Sequence, residues 1–161
     1  MNLLVTGDLK GIMDVLGYME QTETVVADYY HACGEVFTPH QGFWFGIAEQ
    51  EEKHAVFIER MKIIIEKKPE YFEKGRPFNI MAAQTLIKGV GNNAVKVRAG
   101  QLPLVNALAI ARDNEQAFME AKYNEVVKTD DTEYQTLVNE IVADTIAHKA
   151  HIDRMFAELR K

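Results

Sequence analysis

Proline placement is the tightest constraint on what this chain can fold into. Pro39, Pro69, Pro77 and Pro103 leave proline-free tracts at 1–38, 40–68 and 104–161. A proline inside a helix costs ~3 kcal/mol, so tracts of this length accommodate long uninterrupted helices. Strand signals are weak, with no sustained alternation and no Asn-Gly or Asp-Gly turn between apolar runs. Apolar residues recur at helical spacing instead. In the first tract Ile12, Leu16, Met19, Val26, Tyr30, Cys33 and Phe37 follow a 4-3 walk that only Glu23 interrupts, with Asp8 as the expected N-cap. In the second, Trp44, Ala48, Glu51, Ala55, Ile58, Met61 and Ile65 share a face, with His54 beside it. Pro103 suits a first helical position and precedes Leu104, Leu108, Ala111, Glu115 and Phe118. The last tract opens at the capping cluster Thr129–Asp131 and runs Leu137, Ile141, Asp144, His148, His151, Met155, Leu159.

These patterns predict one all-α domain over 1–161 with four long helices at 9–37, 41–67, 103–127 and 131–159. At ~1.5 Å per residue such helices are about 35–45 Å long. Short loops join the first pair and the last pair. The stretch 68–102 is a long crossover, in which Phe78–Lys88 reads as an extra short helix and Gly89–Asn93 as a turn. Two helical hairpins with one long link between helices 2 and 3 is the connectivity of a ferritin-like four-helix bundle.

Composition narrows the partners. The net charge of −6 has the wrong sign for a phosphate-binding footprint, so nucleic acid is not expected. The longest apolar runs, such as Met61–Ile65, fall far short of the ~20 residues that cross a bilayer. Met1–Asp8 lacks a basic segment and a long apolar segment, so no signal peptide and a cytoplasmic setting are expected. The one cysteine, Cys33, makes neither an internal disulfide nor a Cys-x-x-Cys metal site.

Carboxylates within apolar stripes demand an explanation, because an isolated buried charge costs several kcal/mol unless it is paired, protonated or bound to a cation. Each helix carries such residues: Glu23; Glu51 with His54; Glu115; His148 with His151. Glu51 and His54 are three apart, which puts both on one helical face, and His148 and His151 repeat the spacing. Oxygen and imidazole donors converging in a dry core are what a pair of Fe, Mn or Zn ions requires. The competing readings are a solvated Glu-x-x-His surface pair, a buried ion pair with Arg112 or a lysine, and a core histidine hydrogen-bonded to Asp144. Tyr30 is either packing or a hydrogen-bond donor to a ligand carboxylate.

At these residues the chain resembles the rubrerythrin-type branch of the ferritin-like superfamily. The segment Ile47–Ala55 is similar to that family's Glu-x-x-His helix, Glu23 with Tyr30 to its first helix, and Ala111–Glu115 to its third. The resemblance implies that Glu23 and Glu115 are terminal metal ligands, Glu51 a bridging carboxylate, and His54 and His151 terminal nitrogen ligands. The chain departs from the family in having His148 in place of a bridging Glu, Phe118 in place of a further Glu, and no rubredoxin-like Cys-x-x-Cys module. His148 or Asp144 then completes the ligand set. The resemblance further implies a pair of Fe ions (Zn or Mn being alternatives), no organic cofactor, an external electron-donor protein and a homodimer. The expected activity is oxidoreductase chemistry on peroxide, dioxygen or Fe(II). The alternatives are metal storage without turnover and a metal-free helical interaction module.

Overall fold

The computed structural model describes residues 6–161 and is all-helical apart from two short strands. Its elements are α1 (Thr6–Val36), α2 (Gln41–Lys67), β1 (Phe72–Lys74), α3 (Ile80–Arg98), α4 (Leu104–Ala121), β2 (Val127–Thr129) and α5 (Thr132–Leu159), with single 3-10 turns between some of them. The stripes read from the sequence become the core. Ile12, Leu16, Met19, Val26, Tyr30 and Cys33 on α1 are buried, as are Trp44, Ala48, Ile58, Met61 and Ile65 on α2.

Side-chain pairs fix the directions of the helices. Lys62 lies 3.8 Å from Glu20, and His31 contacts Glu52, so α1 and α2 run antiparallel. Arg60 bonds Glu133 and Lys53 reaches Glu140, so α2 and α5 are antiparallel too. The Tyr29 hydroxyl donates to the carbonyl of Ala107 and the Tyr30 hydroxyl lies 3.5 Å from that of Ala111, tying α1 to α4. Helix α3 lies outside this group along α1, where Gln84 donates to the Tyr18 hydroxyl and Arg98 forks onto Asp28 with a further bond to Glu35. Residue numbers rise together in these pairs, so α3 runs parallel to α1.

Several boundaries differ from the expected ones, each for a physical reason. The crossover is not a short helix and a turn, because α3 continues through Gly89–Asn93. Val90, Ala94 and Val97 are buried, and that packing outweighs the roughly 1 kcal/mol by which each glycine disfavours helix. The helix stops at Gly100, whose φ of 72° admits the closing bonds from Gly100 N–H to Val97 O and Gln101 N–H to Lys96 O. Helix α4 ends at Ala121 rather than 127, where Lys122 turns left-handed. The freed segment pairs as an antiparallel ribbon with β1, Phe72 opposite Thr129 and Lys74 opposite Val127. Gly75 extends the ribbon by donating to Val126 O, and a Cβ there would meet Glu125 O at 2.1 Å. Asp8 lies in the first turn of α1 instead of capping it. Asp131 occupies the cap position of α5 but spends its carboxylate on Lys68, 2.7 Å away.

Candidate metal centre

Four helices deliver one ionisable cluster to the interior. Glu23 from α1, Glu51 and His54 from α2, and Glu115 from α4 are all 0% exposed, and His148 from α5 is 3% exposed. They form two groups of three able to hold a metal ion, Glu23–Glu51–His54 and Glu51–Glu115–His148, with the donor atoms of each group within 4.8 Å of one another. Glu51 is common to both and turns a different oxygen to each. Its Oε2 lies 3.4 Å from His54 Nδ1, while its Oε1 accepts from His148 Nδ1 at 2.9 Å.

The outer donors repeat this two-sidedness. Glu23 Oε2 is 3.5 Å from His54 Nδ1, and Glu115 Oε1 is 3.6 Å from His148 Nδ1. The two imidazoles stack with centroids 5.9 Å apart. Each points Nδ1 at the carboxylates and Nε2 outward, His54 to Asp144 Oδ2 at 2.8 Å and His148 to the side-chain oxygen of Gln50. An imidazole whose outer N–H is held in this way keeps its ring orientation when the inner nitrogen gives up its proton to ligate a metal. Tyr30 donates to Glu115 Oε1 at 2.7 Å, which makes it a positioning group for that carboxylate.

Sequence spacing alone does not place His151 correctly. It is exposed on α5, with its ring edge-on to Phe43 at 4.7 Å, and it does not join the cluster. The inner face of α5 runs Tyr134, Val138, Ile141, Thr145, His148, Ile152. It shares Ile141 and His148 with the walk expected from the sequence, but takes Val138, Thr145 and Ile152 where that walk takes Leu137, Asp144 and His151. His148, expected only to complete the shell, thus occupies the nitrogen position assigned to His151. Asp144 is 25% exposed at the flank, reaching His54 and not the interior. Two contributors lie outside the apolar stripe of α2: Gln50, and Lys53, whose ammonium sits 3.0 Å from Asp144. Nothing in residue type or period separates them from their exposed neighbours.

Without a cation, protons must balance the cluster. Burial, reinforced by the charge of Glu51, pushes the Glu23 carboxyl well above the usual range. The same causes push Glu115 up to about 8, against hydrogen bonds from His148 and Tyr30. Burial also opposes ionisation of Glu51, but the protonated Glu23 beside it and hydrogen bonds from His148 and His54 hold it below the ordinary carboxylate range. Burial disfavours the His148 cation, yet its bonds to Glu115 and Glu51 raise it to about 9. His54 is raised too, its bonds to Glu51 and Asp144 overcoming burial. Even so, both oxygens of Glu23 and Oε2 of Glu115 are buried without a hydrogen-bond partner.

A cavity of about 770 Å³ lies between the first half of α3 and the end of α4, lined by Phe78, Met81, Leu86, Phe118 and Tyr123 among others. Glu23, Glu51 and Glu115 do not line it. Tyr123 is buried at its wall, and burial, followed by the charges of those three carboxylates, holds its hydroxyl well above the usual range. No helix among the described residues is long and apolar enough to cross a membrane. Comparison of the chain with protein-family models, with curated proteins and with solved structures gives no match.

Proposed function

We propose that this chain is a non-haem dimetal protein of the rubrerythrin-type branch of the ferritin-like superfamily. It binds two ions, iron before zinc or manganese, and acts as an oxidoreductase on peroxide, dioxygen or Fe(II). The observation that carries the reading is Glu23, a carboxyl group with no exposed surface and no hydrogen-bond partner on either oxygen, its nearest base being His54 Nδ1 at 3.5 Å. Such a group costs several kcal/mol unless something neutralises it, and the donors beside it are those of a cation site. The order of the helices supports the family assignment: α1 and α2 are antiparallel, α4 and α5 are too because Glu115 meets His148 while Phe118 lies by Ile141, and the link returns along α1.

Glu51 would bridge the two positions. Glu23 and His54 would complete one, and Glu115 and His148 the other. Bound iron would supply redox chemistry and open coordination positions for the oxidant. The chain's own part is to hold these donors still and dry. Asp144 and Gln50 fix the imidazoles, Tyr30 orients Glu115, and the full burial of Glu23, Glu51, His54 and Glu115 keeps bulk water from the donors. Electrons would come from an external donor protein, because the one cysteine, Cys33, is buried and has no second thiol to act with. The proposed assembly is a homodimer in the cytoplasm, with no nucleic-acid partner.

The 2.9 Å contact between His148 and Glu51 favours a second reading, a metal-free core satisfied by ion pairs. Elemental analysis of protein purified without a chelating tag, before and after anaerobic addition of Fe(II), separates the two. The dimetal reading expects about two equivalents of metal and peroxide consumption faster than by free Fe(II). Failure to retain metal after loading refutes it, and retention without turnover leaves only the storage reading.

A further inference from the structure

We propose that the two metal positions are unequal and fill in order, the one at Glu23, Glu51 and His54 before the one at Glu51, Glu115 and His148. The inference rests on the dimetal reading of this site and adds an asymmetry to it. The two positions share Glu51 and each adds one carboxylate and one imidazole, so their inner donors are matched. Their supports are not. His54 Nε2 faces a carboxylate, Asp144 Oδ2, at 2.8 Å, whereas His148 Nε2 faces the neutral side-chain amide of Gln50. An imidazole that donates to a carboxylate becomes a more basic ligand, and loss of such a partner typically costs 10–100-fold in metal affinity.

The carboxylates tilt the balance the same way. Both oxygens of Glu23 lack a hydrogen-bond partner, so both are free to ligate. Glu115 has one oxygen engaged by the Tyr30 hydroxyl at 2.7 Å, which competes with a metal for the same electron density. One contact works in the opposite direction. Lys53 Nζ lies 3.0 Å from Asp144 and partly neutralises it, although the ammonium is shared with Glu140 at 3.4 Å. Three features thus favour the His54 side and one partly offsets them. A chain given a single equivalent carries it beside His54, leaving the His148 side open to a second ion of a different kind.

Repulsion between two cations would separate two binding steps even for identical positions, so the decisive readout is where the first ion sits. The experiment uses full-length chelator-stripped protein with Zn(II) as the probe. Calorimetric titration is combined with anomalous scattering at the Zn edge from crystals given one equivalent. The expected result is Zn density beside His54, a first step at least about tenfold tighter than the second, and selective loss of the second step in His148→Ala. Asp144→Asn lowers the first affinity by about 10–100-fold and brings the steps together. Gln50→Glu strengthens the second step, and Lys53→Met the first. Gln50 is exposed, so Gln50→Glu carries the test even if Asp144→Asn fails to keep its helical circular dichroism. Density shared equally or lying beside His148, or an unchanged first step in folded Asp144→Asn, overturns the order of filling. Absence of any Zn binding by the unmodified chain brings down the dimetal reading itself, whereas two equal sites spare it and remove only the asymmetry.

Discussion

Metal-free protein should lose stability as the pH rises from about 5 to 9, the reverse of the usual carboxylate behaviour, and Glu115→Gln should remove the share that Glu115 contributes while leaving that of Glu23 and His148. Burial and the charge of Glu51 raise Glu115 from 4.5 to about 8, so between these values the folded chain holds a proton that the unfolded chain has released. Stability falls with pH wherever the folded state binds the extra proton. At about 1.4 kcal/mol per pH unit, the interval from 4.5 to 7 amounts to a penalty on the order of 3 kcal/mol at neutral pH. His148 adds to the same slope, since its folded value is raised from 6.5 to about 9 and the stabilisation it gives as a cation is lost over that window. Glu51 acts oppositely but only in acid, where its lowered value makes stability fall as the pH drops below about 4.5. Glutamine at 115 mimics the protonated acid and can still accept from Tyr30. In urea unfolding of chelator-treated protein, Glu115→Gln should therefore exceed the parent by up to about 3 kcal/mol at pH 7, with the gap closing towards pH 4.5. Metal inverts the trend, because an ion takes the place of these protons and its apparent affinity rises about tenfold per pH unit for each proton displaced. A gap that widens on acidification, or metal-free stability that climbs from pH 5 to 8, would refute this account of the buried cluster.

Two further substitutions probe the supports of the site. Tyr30→Phe removes the 2.7 Å bond to Glu115 and leaves that carboxyl with one partner fewer, so the unfolding free energy at pH 7 should drop by about 1–3 kcal/mol, and an unchanged value would place the hydroxyl outside the network. Gly75→Ala brings a Cβ to 2.1 Å from the Glu125 carbonyl. It should loosen the β1–β2 ribbon at a cost of about 1–3 kcal/mol, read as faster amide exchange at Val127–Thr129, and unaltered exchange there would show that the ribbon adapts.

The parts of this fold that could be read from the sequence are those governed by a long uniform period. Glu23, Glu51 and Glu115 stand out because each breaks an apolar stripe that runs for several turns, and all three are buried where those stripes meet. Helix α5 is where periodicity stops being decisive. Two 4-3 walks share Ile141 and His148, and only packing chooses the one that also takes Val138, Thr145 and Ile152 over the one that takes Leu137, Asp144 and His151. The crossover is obscured by Gly89 and Gly91, whose local preference for a turn is overridden by contact with α1. Lys122 ends α4 through a backbone conformation that lysine does not advertise. The ribbon strands have three residues each, too few to show alternation. Gln50 acts on His148 from a surface position that becomes meaningful only once α2 and α5 are side by side.

The most direct test of the buried cluster as a metal centre is anomalous diffraction from crystals of the unmodified protein, recorded above and below the Fe edge. A dimetal centre predicts two peaks flanking Glu51, one bounded by Glu23 and His54 and the other by Glu115 and His148, with the iron signal vanishing below the edge. No peak between these side chains after loading, with His148 still paired directly to Glu51, would contradict it.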